Sequence, residues 1–413
     1  MKIFRIKIYL EFKIFIKSIF NKDLNFKKVD KIILHQSKKK YLTYTSQLRT
    51  GFLLILKFLK FKNKKKNEII LMSYNLKEMA NIPSRLNLKI NFCDIDLKTG
   101  SINLKELKKK INKKTLCVVL TNIFSNYESC KKIKIICIKN KIPLIEDNAI
   151  YFDNFIKKEK KHYSGSFGDY SLLSFNIMKN ISGLYGGCVS HNNLEFKNYC
   201  NNTINKKNKF PNLLYLRQML IFIALKVFSL NFPYKYFFYY FFYYASELKI
   251  SLIQNLIYPS LRFKNIKIPN YYLSPINNFT KKLIYYQLKD FKNRKKNHDI
   301  RKFNNKYYHN KLSKINSKNI YTFQVKDFNF QNYLEFPVLL KQKEKIHKYL
   351  MKKGFDLKKI HYFNCSKEFK SKQKCYNSER VEKEILCLPN HNKINNYYID
   401  KLTEEIRIFY KNN

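Results

Sequence analysis

Glycine, tryptophan and acidic residues are scarce in this chain of 413 residues. It contains 8 glycines, no tryptophan, and 29 acidic residues against 82 lysines and arginines, which gives a formal net charge of +53. Such an excess is typical of proteins that bind nucleic acid or anionic membranes. However, Asn, Ile, Phe and Tyr are enriched together with Lys, and all five have A/T-rich codons. The charge therefore indicates codon bias. Since no RNP, zinc-finger or arginine-rich signature is present, we expect no nucleic-acid partner.

Metal-binding and secretion signals are also missing. The 9 cysteines are an odd number without the CxxC or Cys–His spacing of a metal site, so we expect reduced thiols and no metal. Residues 1–20 are apolar but carry a charged residue every few positions, and they lack a small-residue cleavage site. They predict an amphipathic helix rather than a signal peptide. We therefore expect a cytoplasmic protein.

Helix-like and strand-like segments alternate between residues 45 and 190. This order predicts an α/β fold with a largely parallel sheet covered on both faces. The strand "IPLIED" ends in two acids, at the edge of such a sheet where ligands bind. We predict a large domain over 1–265 and a smaller C-terminal α+β domain over 266–413. The latter begins with a long amphipathic helix over 274–312.

The segment 200–265 interrupts this alternation because it is strongly apolar and aromatic. A membrane-spanning helix needs about 20 apolar residues with few charges, and Lys226, Asn231, Pro233 and Lys235 interrupt this one. Two other interpretations stay open. The segment is a helical insertion packed on the fold or on a partner subunit, or residues 213–246 lie on a membrane surface with lysines and tyrosines at the level of the headgroups.

The stretch "SLLSFNIMKNISGLYGG" places Lys179 shortly before Gly186 and Gly187, a glycine pair in a chain with few glycines. A lysine that attacks a carbonyl must be deprotonatable and held by rigid backbone. If the carbonyl belongs to pyridoxal phosphate, a carboxylate must also lie against the ring nitrogen, and donors must hold the phosphate.

The sequence offers a candidate for each of these groups. Asp147 ends a strand, and Ser174 lies five residues before the lysine. The turn "SQLRTGF" opens a long helix, so the backbone N–H groups of Arg49 and Thr50 are candidates for the phosphate. Each feature alone is unspecific. Most lysines, for example, are simply exposed on the protein surface.

Together these motifs resemble the DegT/DnrJ/EryC1/StrS family of sugar aminotransferases. Its pattern is a strand ending in Glu-Asp, then Ser-Phe-Gly-Asp, Ser-Phe, a Schiff-base lysine and Gly-Gly. Here these are Glu146-Asp147, residues 166–169, Ser174-Phe175, Lys179 and Gly186-Gly187. The resemblance extends over most of the chain, outside the first 40 residues and 200–265.

The resemblance implies a fold-type I, pyridoxal phosphate-dependent transferase with a mostly parallel seven-stranded sheet. It also implies a homodimer that moves an amino group from an amino acid, glutamate, to a nucleotide-linked keto-sugar for lipopolysaccharide or other polysaccharide synthesis. Lys179 and Asp147 are the catalytic residues it implies, and Asn270 would reach the phosphate of the partner subunit. The implied cofactor-binding residues are Lys179, Asp147, Ser174, Arg49, Thr50, Leu76 and Asn270.

Four positions depart from the family pattern. Ile150 stands where Gln or His usually contacts the ring hydroxyl, and Leu48 replaces the glycine of the phosphate turn. Tyr272 stands where Arg is frequent, and Leu76 replaces the aromatic residue that often stacks on the ring, with Tyr74 nearby. The alternative is therefore a catalytically degenerate paralogue docked on the membrane. Some relatives are dehydratases, but these carry His in place of the lysine.

Overall fold

The structure is a computed structural model that describes residues 1–20, 26–124, 126–150, 165–204, 208–248, 268–324, 328, 334–359 and 362–412. Its strands are β1 Tyr41–Thr45, β2 Glu68–Met72, β3 Tyr74–Asn75, β4 Lys89–Cys93, β5 Ile95–Asp96, β6 Ser101–Ile102, β7 Thr115–Thr121, β8 Leu144–Asp147, β9 Tyr170–Ser174, β10 Gly187–His191, β11 Ile320–Tyr321, β12 Glu335–Leu340, β13 Phe363–Asn364 and β14 Ile385–Pro389.

The helices of the N-terminal half are α1 Phe12–Phe20, α2 Phe26–Ser37, α3 Leu48–Lys62, α4 Lys77–Arg85, α5 Leu104–Lys110, α6 Tyr127–Lys139, α7 Leu194–Thr203 and α8 Asn212–Phe228. A short helix α9 (Asn231–Pro233) continues through a π-helical turn (Tyr234–Phe238) into α10 (Tyr239–Glu247). After a 3₁₀ turn (Asn270–Leu273) follow α11 Asn278–Lys289, α12 Phe291–Ser313, α13 Lys343–Lys352, α14 Cys365–Glu368, α15 Tyr376–Glu384 and α16 Asn396–Lys411.

A seven-stranded sheet in the order β1-β10-β9-β8-β7-β2-β4 forms the centre of the fold. β4, β2, β7, β8 and β9 are mutually parallel, and β10 runs antiparallel to both β9 and β1. The predicted mostly parallel sheet is confirmed. Because all strands but one point the same way, β8 and β9 end at the same edge, where β10 begins.

Both faces of this sheet are buried along its central strands, since every residue of β2, β7, β8, β9 and β10 is buried. Along β2, Ile69 and Leu71 belong to the apolar cluster that includes α3 and α4. Ile70 and Met72 belong to the opposite cluster, which contains residues of α6 and of the C-terminal strands. Alternate residues of one strand therefore enter two separate cores.

Asparagine, one of the enriched residues, fixes where several helices begin. Its side-chain oxygen accepts a backbone N–H of the first helical turn, which satisfies a donor that has no partner within the helix. The asparagines that cap helices in this way are Asn103, Asn126, Asn193, Asn277 and Asn395.

The C-terminal part contains a three-stranded antiparallel sheet in the order β11-β12-β14. Val338 of β12 and Leu386 of β14 share an apolar cluster with Ile70 and Val118 of the central sheet. These elements therefore pack against one face of the central sheet and reach its carboxyl edge.

Two predictions of helix extent are wrong. The predicted helix over residues 1–20 begins only at Phe12, and residues 1–11 are irregular. The predicted helix over 274–312 is two helices, because the chain breaks at Asp290, whose side chain accepts the N–H of Asn293 and starts the second helix. Of the predicted insertion, residues 212–247 are mostly helical, and 249–265 lie outside the described residues.

Candidate active site

Asp147 and Lys179 lie at the carboxyl edge of the central sheet. Asp147 is the last residue of β8 and is 3% exposed, and its Oδ1 accepts the N–H of Ala149 at 3.0 Å. Lys179 follows β9 by five residues, in a turn in which its N–H donates to the Asn176 carbonyl at 2.9 Å. Parallel pairing of β8 with β9 thus brings the two predicted catalytic residues to one site.

The two side chains influence each other's protonation. Burial raises the pKa of Asp147 to about 6, and the Ala149 N–H and the positive charge of Lys179 oppose this rise. Burial lowers the pKa of Lys179 to about 8, against the attraction of Asp147 and with a further lowering by Lys358. At pH 7 a lysine with this pKa is neutral in about a tenth of molecules, whereas an ordinary lysine is almost fully charged.

The start of α3 lies beside Ser174, as the predicted phosphate site requires. Ser174 pairs with Gly187 across β9 and β10, and a Cβ added to Gly187 would lie 2.4 Å from the backbone nitrogen of Leu48. Only glycine permits this approach. No side chain caps the start of α3 at Gln47. Its N-terminal N–H groups therefore form a candidate anion site beside the Ser174 hydroxyl.

The two other predicted phosphate residues already have partners within the chain. The Thr50 N–H donates to the Gln47 carbonyl at 3.1 Å, and the Thr50 hydroxyl lies 3.1 Å from that of Ser46. The Arg49 guanidinium donates to Glu78 at 3.0 Å. These side chains shape the first turn of α3. Whether their groups bind phosphate stays a prediction.

Leu76, Tyr74 and Asn270 occupy different surroundings. Leu76 is half-buried at the start of α4. Tyr74 lies in the core, parallel to Phe124 at 6.0 Å between ring centres. Asn270 is exposed at the start of the 3₁₀ turn, and Tyr272 of this turn accepts the Ser46 hydroxyl at 3.0 Å through its carbonyl. Asn270 is thus two residues from a backbone group that contacts Ser46, just before α3. Its contact with a partner subunit stays a prediction.

A cavity of about 140 Å³ opens beside Lys179. Its walls include Ile150, Phe124 and Tyr362. Ile150 therefore faces the same space as Lys179, at the position where the family pattern has a Gln or His that contacts the cofactor. Lys358 also lines it, and its amine lies 2.7 Å from the carboxylate of Glu335. Phe124 and Tyr362 are aromatic wall residues that the sequence analysis did not identify.

The N-terminal segment forms another wall that the sequence analysis missed. Arg5, Lys7 and Tyr9 line the cavity together with Lys179. Arg5 is held in place by Asp356 at 3.3 Å and by the Leu357 carbonyl at 2.6 Å. Positive side chains therefore outnumber negative ones around this space, which favours an anionic ligand.

Glu146 supports the site from behind, a role that sequence reasoning did not assign. Its carboxylate is fully buried and accepts the backbone N–H groups of Gly165, Phe167 and Gly168 at 2.8–2.9 Å, and the Asn122 amide at 2.8 Å. One carboxylate thus fixes the "GSFG" segment to the end of β8. The Glu-Asp pair has divided roles: Glu146 faces the protein, and Asp147 faces the site.

A sequence model of the DegT/DnrJ/EryC1/StrS aminotransferase family matches residues 31–209, which include Asp147, Ser174 and Lys179. The predicted family resemblance is confirmed. GDP-perosamine synthase of Vibrio cholerae is 31% identical over 101 residues, 24% of this chain and 27% of that protein. GDP-4-keto-6-deoxy-D-mannose 3-dehydratase of Escherichia coli O55:H7 is 26% identical over 154 residues, 36% of this chain and 39% of that protein. The matched segments thus span well under half of these relatives.

Solved structures resemble this chain over the whole fold. The Helicobacter pylori aminotransferase PseC superposes with a TM-score of 0.68 at 15% identity, covering 100% of this chain and 98% of that one. The E. coli GDP-4-keto-6-deoxy-D-mannose-3-dehydratase, solved with hydrated pyridoxal phosphate, gives a TM-score of 0.68 at 19% identity, covering 96% of each chain. The predicted fold-type I α/β architecture is confirmed.

Proposed function

We propose that this protein is a pyridoxal phosphate-dependent aminotransferase that moves an amino group from glutamate to a nucleotide-linked keto-sugar. The observation that carries this proposal is the placement of Lys179 and Asp147 at the same carboxyl edge of the sheet, where the charge of each shifts the pKa of the other. The match of residues 31–209 to an aminotransferase family supports it. So do the sugar-nucleotide names of the relatives.

The residues present fit the cofactor at three points. Asp147 is a buried carboxylate without a salt-bridge partner among the ion pairs of the described chain, so a protonated ring nitrogen would be a suitable partner for its charge. The uncapped start of α3, opened by Gly187, and the Ser174 hydroxyl suit a phosphate. Lys179 has an amine that loses its proton near neutral pH.

When bound, pyridoxal phosphate supplies an aldehyde and a protonated ring that withdraws electrons from the reacting carbon. Lys179 would hold the aldehyde end. Once released, its Nζ would take the proton from the α-carbon of glutamate and donate it to the carbon of the former aldehyde, which a pKa near 8 permits in both directions. Asp147 would keep the ring nitrogen protonated. Arg5, Lys7 and Lys358 would attract the diphosphate of the sugar nucleotide.

The replacement of Gln or His by Ile150 removes one hydrogen bond to the cofactor but not the groups that do chemistry. It therefore predicts weaker cofactor binding rather than loss of the reaction. A degenerate paralogue is the second candidate, and Ile150, Leu48 and Tyr272 favour it. Retention of Asp147, Ser174 and Lys179 in one site favours the enzyme. Lys179 also disfavours the dehydratase reaction of some relatives.

We further propose a cytoplasmic homodimer with twofold symmetry, in which Asn270 of one subunit contacts the phosphate site of the other. Its exposure at the start of a turn that contacts the α3 site is compatible with such a contact. The amino sugar made would enter lipopolysaccharide or another surface polysaccharide.

Amino transfer can be measured directly. Purified protein is incubated with pyridoxal phosphate, glutamate and GDP-4-keto-6-deoxymannose, and mass spectrometry follows 2-oxoglutarate and the aminated sugar. We expect the two products in equal amounts, and none from Lys179→Ala. Lys110→Ala is the control, since Lys110 is half-buried but contacts Glu106 at 3.0 Å on α5, away from the cavity.

Each outcome has a distinct meaning. 2-Oxoglutarate without aminated sugar would support an aminotransferase with a different sugar substrate. No 2-oxoglutarate from folded wild-type protein saturated with cofactor would contradict the proposed activity and favour the degenerate paralogue.

A further inference from the structure

Helix α8 exposes a continuous apolar stripe. Leu213, Leu216, Leu220, Ile223 and Val227 recur at intervals of three and four residues, and each is 42–76% exposed. Residues at this spacing share one face of a helix. The opposite face is buried, at Tyr215, Gln218 and Phe222. A stripe of this length on a protein surface marks a site of interaction rather than chance exposure.

The exposed apolar face continues onto the neighbouring elements. After α8, the segment 230–248 exposes Phe232, Tyr236, Phe237, Tyr240, Phe241 and Tyr244. Helix α1 exposes Phe12, Ile16, Ile19 and Phe20. We call the exposed apolar side chains of α1, α8 and 230–248 the apolar surface.

Packing keeps these elements fixed to one another. Phe15 of α1 lies 5.1 Å from Phe222 of α8 between ring centres. The Lys226 amine donates to the Ile8 carbonyl at 3.1 Å, and the Tyr234 hydroxyl donates to Asp356 at 2.5 Å. The apolar surface is therefore presented outward by buried contacts on its inner side.

The length of the helices disfavours a simple transmembrane span. Among the described helices, none alone is long and apolar enough to cross a membrane. The helices Asn212–Phe228 and Asn231–Ala245 are long and apolar enough only when they are taken together, and the chain bends by 77° between them. Two bent helices with one apolar face each are better suited to lie in the interface of a bilayer.

The charges next to the apolar surface select its partner. Lys13, Lys17, Arg217 and Lys235 are exposed on the same elements. Cations outnumber acids there, since the acidic residues are Glu11, which pairs with Lys13 at 3.0 Å, and Glu247. In a twofold contact between two copies, this patch would face itself and bring like charges together. Anionic headgroups would instead pair with these cations while the apolar side chains enter the acyl region.

We propose that the protein docks on anionic lipid membranes through the apolar surface of α1, α8 and residues 230–248, without crossing the bilayer. The tyrosines and lysines of this surface lie at headgroup level, and the leucine and phenylalanine side chains lie deeper. Arg5 contacts Asp356, which also binds Tyr234, so the docked surface lies next to the wall of the cavity that contains Lys179.

Vesicle flotation of the full chain tests this proposal. One set of vesicles is phosphatidylcholine alone, and the other contains one part phosphatidylglycerol to three parts phosphatidylcholine. The test variant replaces Leu216, Leu220 and Phe237 by Gln. The control variant replaces Leu194, Ile138 and Phe303 by Gln, three residues that are 52–61% exposed elsewhere on the protein.

Both variants keep the net charge of +53, so they separate apolar insertion from adsorption of a basic protein. We expect wild type and control variant to float with anionic vesicles, and the test variant to lose about tenfold or more in partitioning. Binding of wild type should persist in about 0.5 M salt, where screening limits electrostatics to about 4 Å.

Three results would overturn the proposal. Equal flotation of wild type and test variant would indicate adsorption through charge alone. Absence of wild-type flotation from both vesicle types would exclude lipid docking. If wild type does not float but forms an oligomer that the test variant loses and the control variant keeps, the apolar surface is a contact between copies of the chain.

Discussion

Replacing Glu146 by glutamine tests whether one buried carboxylate holds the segment 165–168 against the end of β8. Oε1 accepts the Gly165 N–H at 2.9 Å and the Asn122 amide at 2.8 Å. Oε2 accepts the N–H groups of Phe167 and Gly168 at 2.9 and 2.8 Å. The glutamate thus satisfies four donors at a site without solvent access.

The cost of the substitution can be worked out from these four bonds. A glutamine side chain has one oxygen and one NH₂ group, so in either orientation the NH₂ faces two donors. Each buried donor left without an acceptor costs about 1–3 kcal/mol, which gives about 2–6 kcal/mol for two. Since the neutral amide is cheaper to bury than a carboxylate, we expect about 3 kcal/mol in the free energy of unfolding.

Urea unfolding of wild type and Glu146→Gln, followed by circular dichroism, measures this difference. Glu195→Gln is the matched control, because Glu195 is 67% exposed and pairs with Lys62 at the surface; it should change stability by less than about 0.5 kcal/mol. A loss below about 1 kcal/mol for Glu146→Gln, at an unchanged m-value, would refute the assigned role.

Three further substitutions address the cofactor site. In Asp147→Asn, the apoprotein should gain about 3 kcal/mol in urea unfolding above pH 6. Burial raises the pKa of Asp147 to about 6, so its ionisation destabilises the folded state. The gain should vanish below about pH 3, where Asp147 is protonated in both the folded and the unfolded state; a gain that does not depend on pH would contradict this. Ile150→Gln should tighten pyridoxal phosphate binding about fivefold in an absorbance titration, since it adds one hydrogen bond of about 1 kcal/mol; no change would show that residue 150 does not reach the cofactor. Gly187→Ala should cost about 3 kcal/mol in urea unfolding, because its Cβ would lie 2.4 Å from the Leu48 nitrogen; a fully stable variant would contradict the close packing of β10 on α3.

The sequence predicted the central sheet well because its signals are local. Strands such as "TLCVVLTNIF" and "IPLIED" are apolar runs between amphipathic helices, and β7 and β8 fall within them. The positions of Asp147, Ser174 and Lys179 followed from motif spacing, since parallel strands bring their ends to one edge. The approach of Gly187 to α3 explains why the glycine pair stands there.

The remaining walls of the site depend on contacts between distant parts of the chain. The amphipathic pattern of residues 1–20 predicted a helix, but Arg5 and Lys7 lie outside the helix and line the cavity. Phe4, Ile6, Ile8 and Leu10 alternate with polar or larger residues at a period of two, a pattern that argues against a helix before Phe12. Nothing local indicates that this segment contacts Asp356, because that contact depends on tertiary packing.

Asp290 shows a second limit of periodicity. The apolar pattern continues across residues 274–312, and it does not reveal that Asp290 ends one helix and caps the next. An aspartate within a helical pattern is compatible with both outcomes.

The central claim is that Lys179 and Asp147 form the cofactor site, and an absorbance spectrum tests it most directly. Pyridoxal phosphate is added to purified wild type, Lys179→Ala and the control Lys110→Ala, before and after borohydride. We predict a visible band in wild type and control that borohydride bleaches, and no such band in Lys179→Ala. After reduction, the covalently attached pyridoxal phosphate should lie on the peptide that contains Lys179. Identical spectra of wild type and Lys179→Ala would contradict the account, since Lys179 would then be an ordinary lysine beside a cavity with another use.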